Sequence, residues 1–234
     1  MKTLLRSVSA AIVFSTLVSA QCPANSDSSA PHWSFTDIQW TYYGSLSQAA
    51  VSSGALTWNA RESFTTVAAS TVYNDIGIVD DNTLPENLGE TLVSNYGQAN
   101  SSCYLRTSSS CNNICFNLSR IDYADVKLSP NNIGGAASGW ASHWGLSTSD
   151  ALNLTIKMTT AHEVGHVFGF KNWDPGAQNC SFPTIMSVYD EFYCQLSSGA
   201  TSCDGATVAA NYIGWTLASR SCDSCNVGPQ TCSN

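Results

Sequence analysis

Two histidines four residues apart, with a glutamate beside the first, give His162-Glu163-Val164-Gly165-His166 the residue types and spacing for chemistry. On an α-helix, residues four apart stack on one face, so the imidazoles of His162 and His166 can converge on one metal ion. Glu163 then stands where a carboxylate can take a proton from metal-bound water without ligating the metal. Neutral imidazoles in a tetrahedral site with one open position suit zinc, so Zn2+ is the expected cofactor. The chain contains only four histidines. A shuffled sequence of this composition would contain the pattern about once in seven hundred, which makes coincidence a poor rival to a metal site.

Such a site needs a helix that starts and stops in the right places. Ser147-Thr148-Ser149-Asp150 has the form of a capping box and predicts the start. Gly169 predicts the end, because glycine accepts the left-handed backbone that stops a helix. The two histidines then ride on the last turns. Upstream, Trp33 to Tyr43 predicts a first strand, and Gln48 to Phe64 predicts a helix carrying Trp58. Ser70 to Val79 and Ile114 to Ile121 predict further strands, with a polar surface excursion from Asp80 to Cys111 between them. Lys171 to Ser187 reads as loop, Asp204 to Trp215 as a last short helix, and the tail from Ser219 as irregular and cysteine-rich.

Residues 1–20 predict a secretory signal. Lys2 and Arg6 precede a mostly apolar run from Ser7 to Val18, and Val18-Ser19-Ala20 is a small-residue cleavage site. The run is shorter than the roughly 20 residues a membrane span requires. A secreted, extracellular chain with no membrane anchor is expected. Loss of residues 1–20 removes two cations and no anion, so the formal net charge moves from −8 to −10. That balance argues against nucleic acid and anionic membranes as partners, since both need basic patches. Neither nucleic acid nor membrane is an expected partner, and the chain is expected to be a monomer.

The ten cysteines are even in number, and in an oxidising compartment they predict up to five disulfides. Cys222-x-x-Cys225 reads as structural on the same ground. Asn100, Asn117, Asn153 and Asn179 open N-x-S/T sequons compatible with a glycoprotein. Asp75, Asp80 and Asp81 form an acidic group that could bind Ca2+ or simply be a solvated loop. About 210 mature residues can bury a real core, and the chain divides into a short leader at 21–30, a folded domain at 31–218 and a Cys-rich tail at 219–234.

The motif extends to His-Glu-x-x-His-x-x-Gly at Gly169, and Thr184-Ile185-Met186-Ser187 follows it. Together these resemble the metzincin clan of zinc endopeptidases, whose members carry H-E-x-x-H-x-x-G-x-x-H and a downstream methionine turn. The wider order of elements, over about 31–216, resembles a matrixin-type catalytic domain. The resemblance implies an α+β, two-lobed metzincin-like fold. A twisted mixed sheet and the zinc helix would lie above, and the Met-turn with a short C-terminal helix below. It implies a zinc-dependent endopeptidase that hydrolyses peptide bonds through a metal-bound water, with Glu163 as general base and Met186 beneath the metal. A protein or peptide substrate would lie extended along an edge strand expected within Gly134 to Trp144.

The third-ligand position holds Asn172 where the family has histidine. Asn172 has the better position, Asp174 has the better ligand chemistry, and His143 is a third alternative. Tyr189, three residues past Met186, is a candidate for polarising the scissile carbonyl or for packing. Cys22 could cap the metal in a latent form, although a disulfide keeps the cysteine count even. The altered third position motivates a rival reading, a secreted and catalytically impaired metzincin-like binding or effector protein. A zinc hydrolase acting on something other than peptides is a further alternative.

Overall fold

Strand β1 (Asp37–Tyr43) buries Ile38, Trp40 and Tyr42, every second residue, as a strand with one face against a core requires. Strands β3 (Ile76–Asp80) and β6 (Arg120–Leu128) add Ile76, Ile78, Ala124, Val126 and Leu128 to the same core. With β2 (Thr66–Ala69) these strands run parallel. The antiparallel strand β4 (Gly89–Tyr96) closes the order β2-β1-β3-β6-β4 at one edge. Along that last ladder Gly89 pairs with Leu128 and Tyr96 with Arg120, with a register shift between Ser94 and Asn95. A separate two-stranded ladder joins β5 (Ser102–Leu105) to β7 (Gly228–Thr231). The fold is therefore α+β, with a small mixed sheet and helices. These features belong to a computed structural model that describes residues 33, 37–60, 66–69, 75–96, 102–105, 120–172, 184–186, 199–211 and 228–231.

Helix α1 (Gln48–Leu56) starts where the Ser47 hydroxyl accepts the Ala50 N–H, and it tightens into a 3₁₀ turn at Thr57–Ala60. Helix α2 (Pro130–Trp144) has Ser129 as its cap and proline in its first turn. Helix α3 (Thr148–Val167) starts on Ser147, whose hydroxyl accepts the Asp150 N–H at 3.1 Å and donates to the Asp150 carboxylate at 2.7 Å. Helix α4 (Ser202–Asn211) is the last of the described helices. No helix among the described residues is long and apolar enough to cross a membrane.

Helix α3 is fixed from several sides. A Cβ at Gly54 of α1 would meet the Lys157 carbonyl at 2.5 Å and Thr160 Cβ at 2.7 Å, so the two helices cross nearly backbone to backbone. The buried indoles of Trp58 and Trp33 each donate 3.0 Å bonds to α3, to the carbonyls of Ala161 and Val167.

Several boundaries and one element type differ from expectation. Gly134 to Trp144 is not an edge strand but most of α2. Ser129 and Pro130 supply the N-terminal cap and preset φ, and burial of Ile133 and Ala137 offsets the weak helix propensity of Gly134 and Gly135. The edges of the five-stranded sheet are β2 and β4, and β4 lies inside the predicted excursion of 80–111. The expected strand at Ile114–Ile121 is described from Arg120 and runs to Leu128, and the one at Ser70–Val79 is described from Ile76. The last helix starts at Ser202, before Asp204. The tail contributes β7. The signal and leader regions, Cys22, Asp174 and Tyr189 lie outside the described residues.

Candidate metal centre

His162, Glu163 and His166 come together on the final turns of α3, each offering one ligand atom within 4.8 Å of the others. His162 and Glu163 are buried and His166 is partly so. The imidazole rings stand 4.9 Å apart and nearly perpendicular. His162 Nδ1 lies 2.7 Å from the Ile185 carbonyl oxygen, and His166 Nδ1 lies 2.9 Å from that of Phe170. A carbonyl oxygen can only accept, so each Nδ1 carries a proton and donates it. In a neutral ring this leaves both Nε2 atoms unprotonated, the arrangement by which backbone groups hold metal-ligating histidines. Burial, and then the neighbouring His162, push the His166 pKa below its ordinary value, favouring the neutral form a metal needs.

The turn after α3 builds half of this arrangement. Gly169 has φ of 88°, in the region that favours glycine. Its N–H bonds the His166 carbonyl at 3.0 Å, and the Phe170 N–H reaches the Gly165 carbonyl at 3.4 Å. This paired closure is a Schellman motif. By reversing the chain it delivers the Phe170 carbonyl to His166 and, two residues later, Asn172 to His162. Asn172 Oδ1 lies 2.9 Å from His162 Nε2. With a neutral ring these are two acceptors face to face, which calls for a shared cation or an amide turned to present its NH2. His143 is not part of the cluster. It is exposed on α2, edge-on to Trp140 at 5.3 Å.

Met186 is fully buried and lies against Gly165 of α3. A Cβ at Gly165 would fall 2.2 Å from Met186 Sδ and 3.0 Å from Trp58 Cζ2, so only glycine lets the helix settle onto that methionine. The neighbouring Ile185, whose carbonyl orients His162, is held by Asp204 of α4. The buried Asp204 carboxylate accepts the Ile185 N–H at 3.1 Å, the Thr201 N–H at 2.7 Å and the Thr201 hydroxyl at 2.9 Å, and it also accepts the Thr184 hydroxyl. A connected path therefore runs from Asp204 through Ile185 to His162.

A cleft of about 650 Å³ opens beside the cluster. Glu86 to Thr91 and Val93 form one wall, and Thr159, His162, Glu163, His166 and Asn172 form the other. The Thr91 hydroxyl donates to Glu163 Oε2 at 2.7 Å. Neither Thr91 nor Asp204 is apparent from the motif alone. Asp204 at the start of a predicted helix was the one available signal, whereas Thr91 meets Glu163 from 72 residues away. The three aspartates considered for calcium do not gather around one point. Asp75 accepts the Gln39 N–H, Asp80 accepts the Tyr42 and Ser45 hydroxyls, and Asp81 bonds Thr83 and pairs with Lys127 at 3.3 Å.

No protein-family model and no curated protein matches this chain. Among solved structures it is similar to a chain of the GM1-bound form of the ECX AB5 holotoxin. That likeness has 12% identity and a TM-score of 0.44, and covers 76% of this chain and 79% of that chain. It is too slight to carry an argument, so function is read from the site alone.

If the cluster holds zinc, the identity of its third ligand is open to a direct comparison. Asp174→Ala is expected to lower zinc affinity more than Asn172→Ala, because a carboxylate is the stronger zinc ligand. Competition titrations with a chromogenic chelator measure both, and the opposite order assigns the role to Asn172.

Proposed function

We propose that this chain is a secreted zinc-dependent endopeptidase of metzincin type. The observation that carries the reading is the pair of Nδ1–carbonyl bonds, which turn both Nε2 lone pairs toward one region beside a buried carboxylate. The donor set fits zinc, with two neutral imidazoles and an oxygen from Asn172 or Asp174. When bound there, zinc supplies a Lewis acid for the scissile carbonyl and acidifies a water. Glu163 takes the proton at Oε1 and passes it to the leaving amine. A peptide would lie extended along the outer side of β4, which has no strand partner there within the five-stranded sheet. Gly165 lets the histidine-bearing helix pack directly on the buried Met186. The signal-like residues 1–20 support export.

Asn172 beside His162 Nε2 favours a second reading, a binding or effector protein with a weakened metal site. Purified mature protein incubated with an unstructured protein substrate separates the two. The peptidase is expected to hold one zinc, cleave the substrate, stop when zinc is chelated and recover when zinc returns. Folded protein that holds zinc yet cleaves no peptide bond would sink the endopeptidase reading. Folded protein that holds no zinc would favour the binding module.

A further inference from the structure

Glu163 needs more than a place beside the histidines, since a general base works only when its oxygen is aimed at the proton it takes. The edge strand supplies that aim. The Thr91 hydroxyl has one proton and two acceptors in reach, Glu163 Oε2 at 2.7 Å and the Glu163 carbonyl at 2.9 Å. The carboxylate is the shorter and charge-assisted partner, so the proton belongs there. Two residues earlier on β4, a Cβ at Gly89 would fall 2.6 Å from Glu163 Cγ and 2.8 Å from Oε1. Any side chain there would displace the Glu163 carboxylate. The strand therefore brackets the carboxylate at two points, with a donor on one oxygen and bare backbone against the other. Among the described residues Oε1 accepts no hydrogen bond.

We infer that Thr91 is a positioning residue for the general base, holding Oε2 so that Oε1 is the oxygen that takes the proton. The inference rests on the peptidase reading for its kinetic consequence. It adds that the strand expected to receive the substrate also sets the orientation of the base. Substrate engagement and base alignment then share one element.

Thr91→Val keeps the shape and removes the donor, and Thr91→Ser restores it. In the zinc-loaded full chain, Thr91→Val is expected to lower kcat about tenfold, as loss of one hydrogen bond to a charged group implies. KM, zinc affinity and Tm should match the parent, and Thr91→Ser should recover most of kcat. A crystal structure of Thr91→Val should find the Glu163 carboxylate turned from its parental rotamer, with or without metal. Unchanged kcat with an unmoved carboxylate overturns the inference. So does a loss confined to KM or zinc content, or a Thr91→Ser variant as slow as Thr91→Val. If the parent cleaves nothing, the peptidase reading falls by itself, and the carboxylate orientation in the two crystal structures still decides whether Thr91 positions Glu163.

Discussion

Glu163→Ala is expected to lower kcat by about 10²–10⁴ while the protein stays folded and keeps its zinc, the usual range for losing a general base. The separation of activity from metal binding follows from the site. His162 and His166 are oriented by the carbonyls of Ile185 and Phe170, and neither bond involves the glutamate side chain. Thr91 would lose its carboxylate partner but retains the Glu163 backbone carbonyl at 2.9 Å, so no buried donor is stranded. Steady-state kinetics with metal analysis on one preparation checks both halves. Full activity in the variant removes Glu163 from the role of base. Parallel loss of zinc would make the carboxylate a ligand instead.

The second large effect lies away from the cleft. Asp204→Ala is expected to cost on the order of 3–5 kcal/mol of stability, because several donors lose one acceptor together in a buried setting. The carboxylate is 1% exposed and serves Thr184, Ile185 and Thr201 at once. That is a large share of the roughly 5–15 kcal/mol by which domains are ordinarily stable. Zinc affinity should fall about 10–100-fold in molecules that remain folded, the usual scale for residues behind a ligand, since the Ile185 carbonyl is no longer tethered. Urea unfolding measures the first effect and zinc titration under native conditions the second. Unchanged unfolding would show that the carboxylate is not the anchor. Unchanged zinc affinity in a destabilised protein would show that Ile185 is held by other contacts.

The parts of the fold legible in the sequence were those specified locally. Ser147 and Gly169 delimit α3 through neighbours three or four residues away, so reading them needs no tertiary information. The same holds for His162, Glu163 and His166, which one helical turn brings together. Helix α2 was missed although Ser129-Pro130 is a local start signal, because Gly134, Gly135 and Gly139 dominate the composition of the segment. Strand β4 was missed because an edge strand needs little apolar content. Its Leu92 is 47% exposed, while Thr91 and Gly89 face the cleft for steric and hydrogen-bonding reasons that emerge only when α3 is beside them. Asp204 and Thr91 act across 19 and 72 residues of chain respectively, beyond any periodic signal.

The two indole bonds to α3 bear on the order in which the molecule assembles. Trp58 reaches Ala161 across 103 residues, and Trp33 reaches Val167 across 134. The helix can nucleate from its own caps, but its seat is made of contacts that close only after much of the chain has collapsed. Chains dominated by such distant closures fold slowly, because loop entropy must be overcome before the contacts reward it. The Ile185 carbonyl that presets the His162 tautomer likewise comes from a separate segment, 23 residues on, whereas the Phe170 carbonyl reaches His166 from only four residues away. On the proposed reading, the complete pair of oriented imidazoles is therefore available only after such distant contacts have closed.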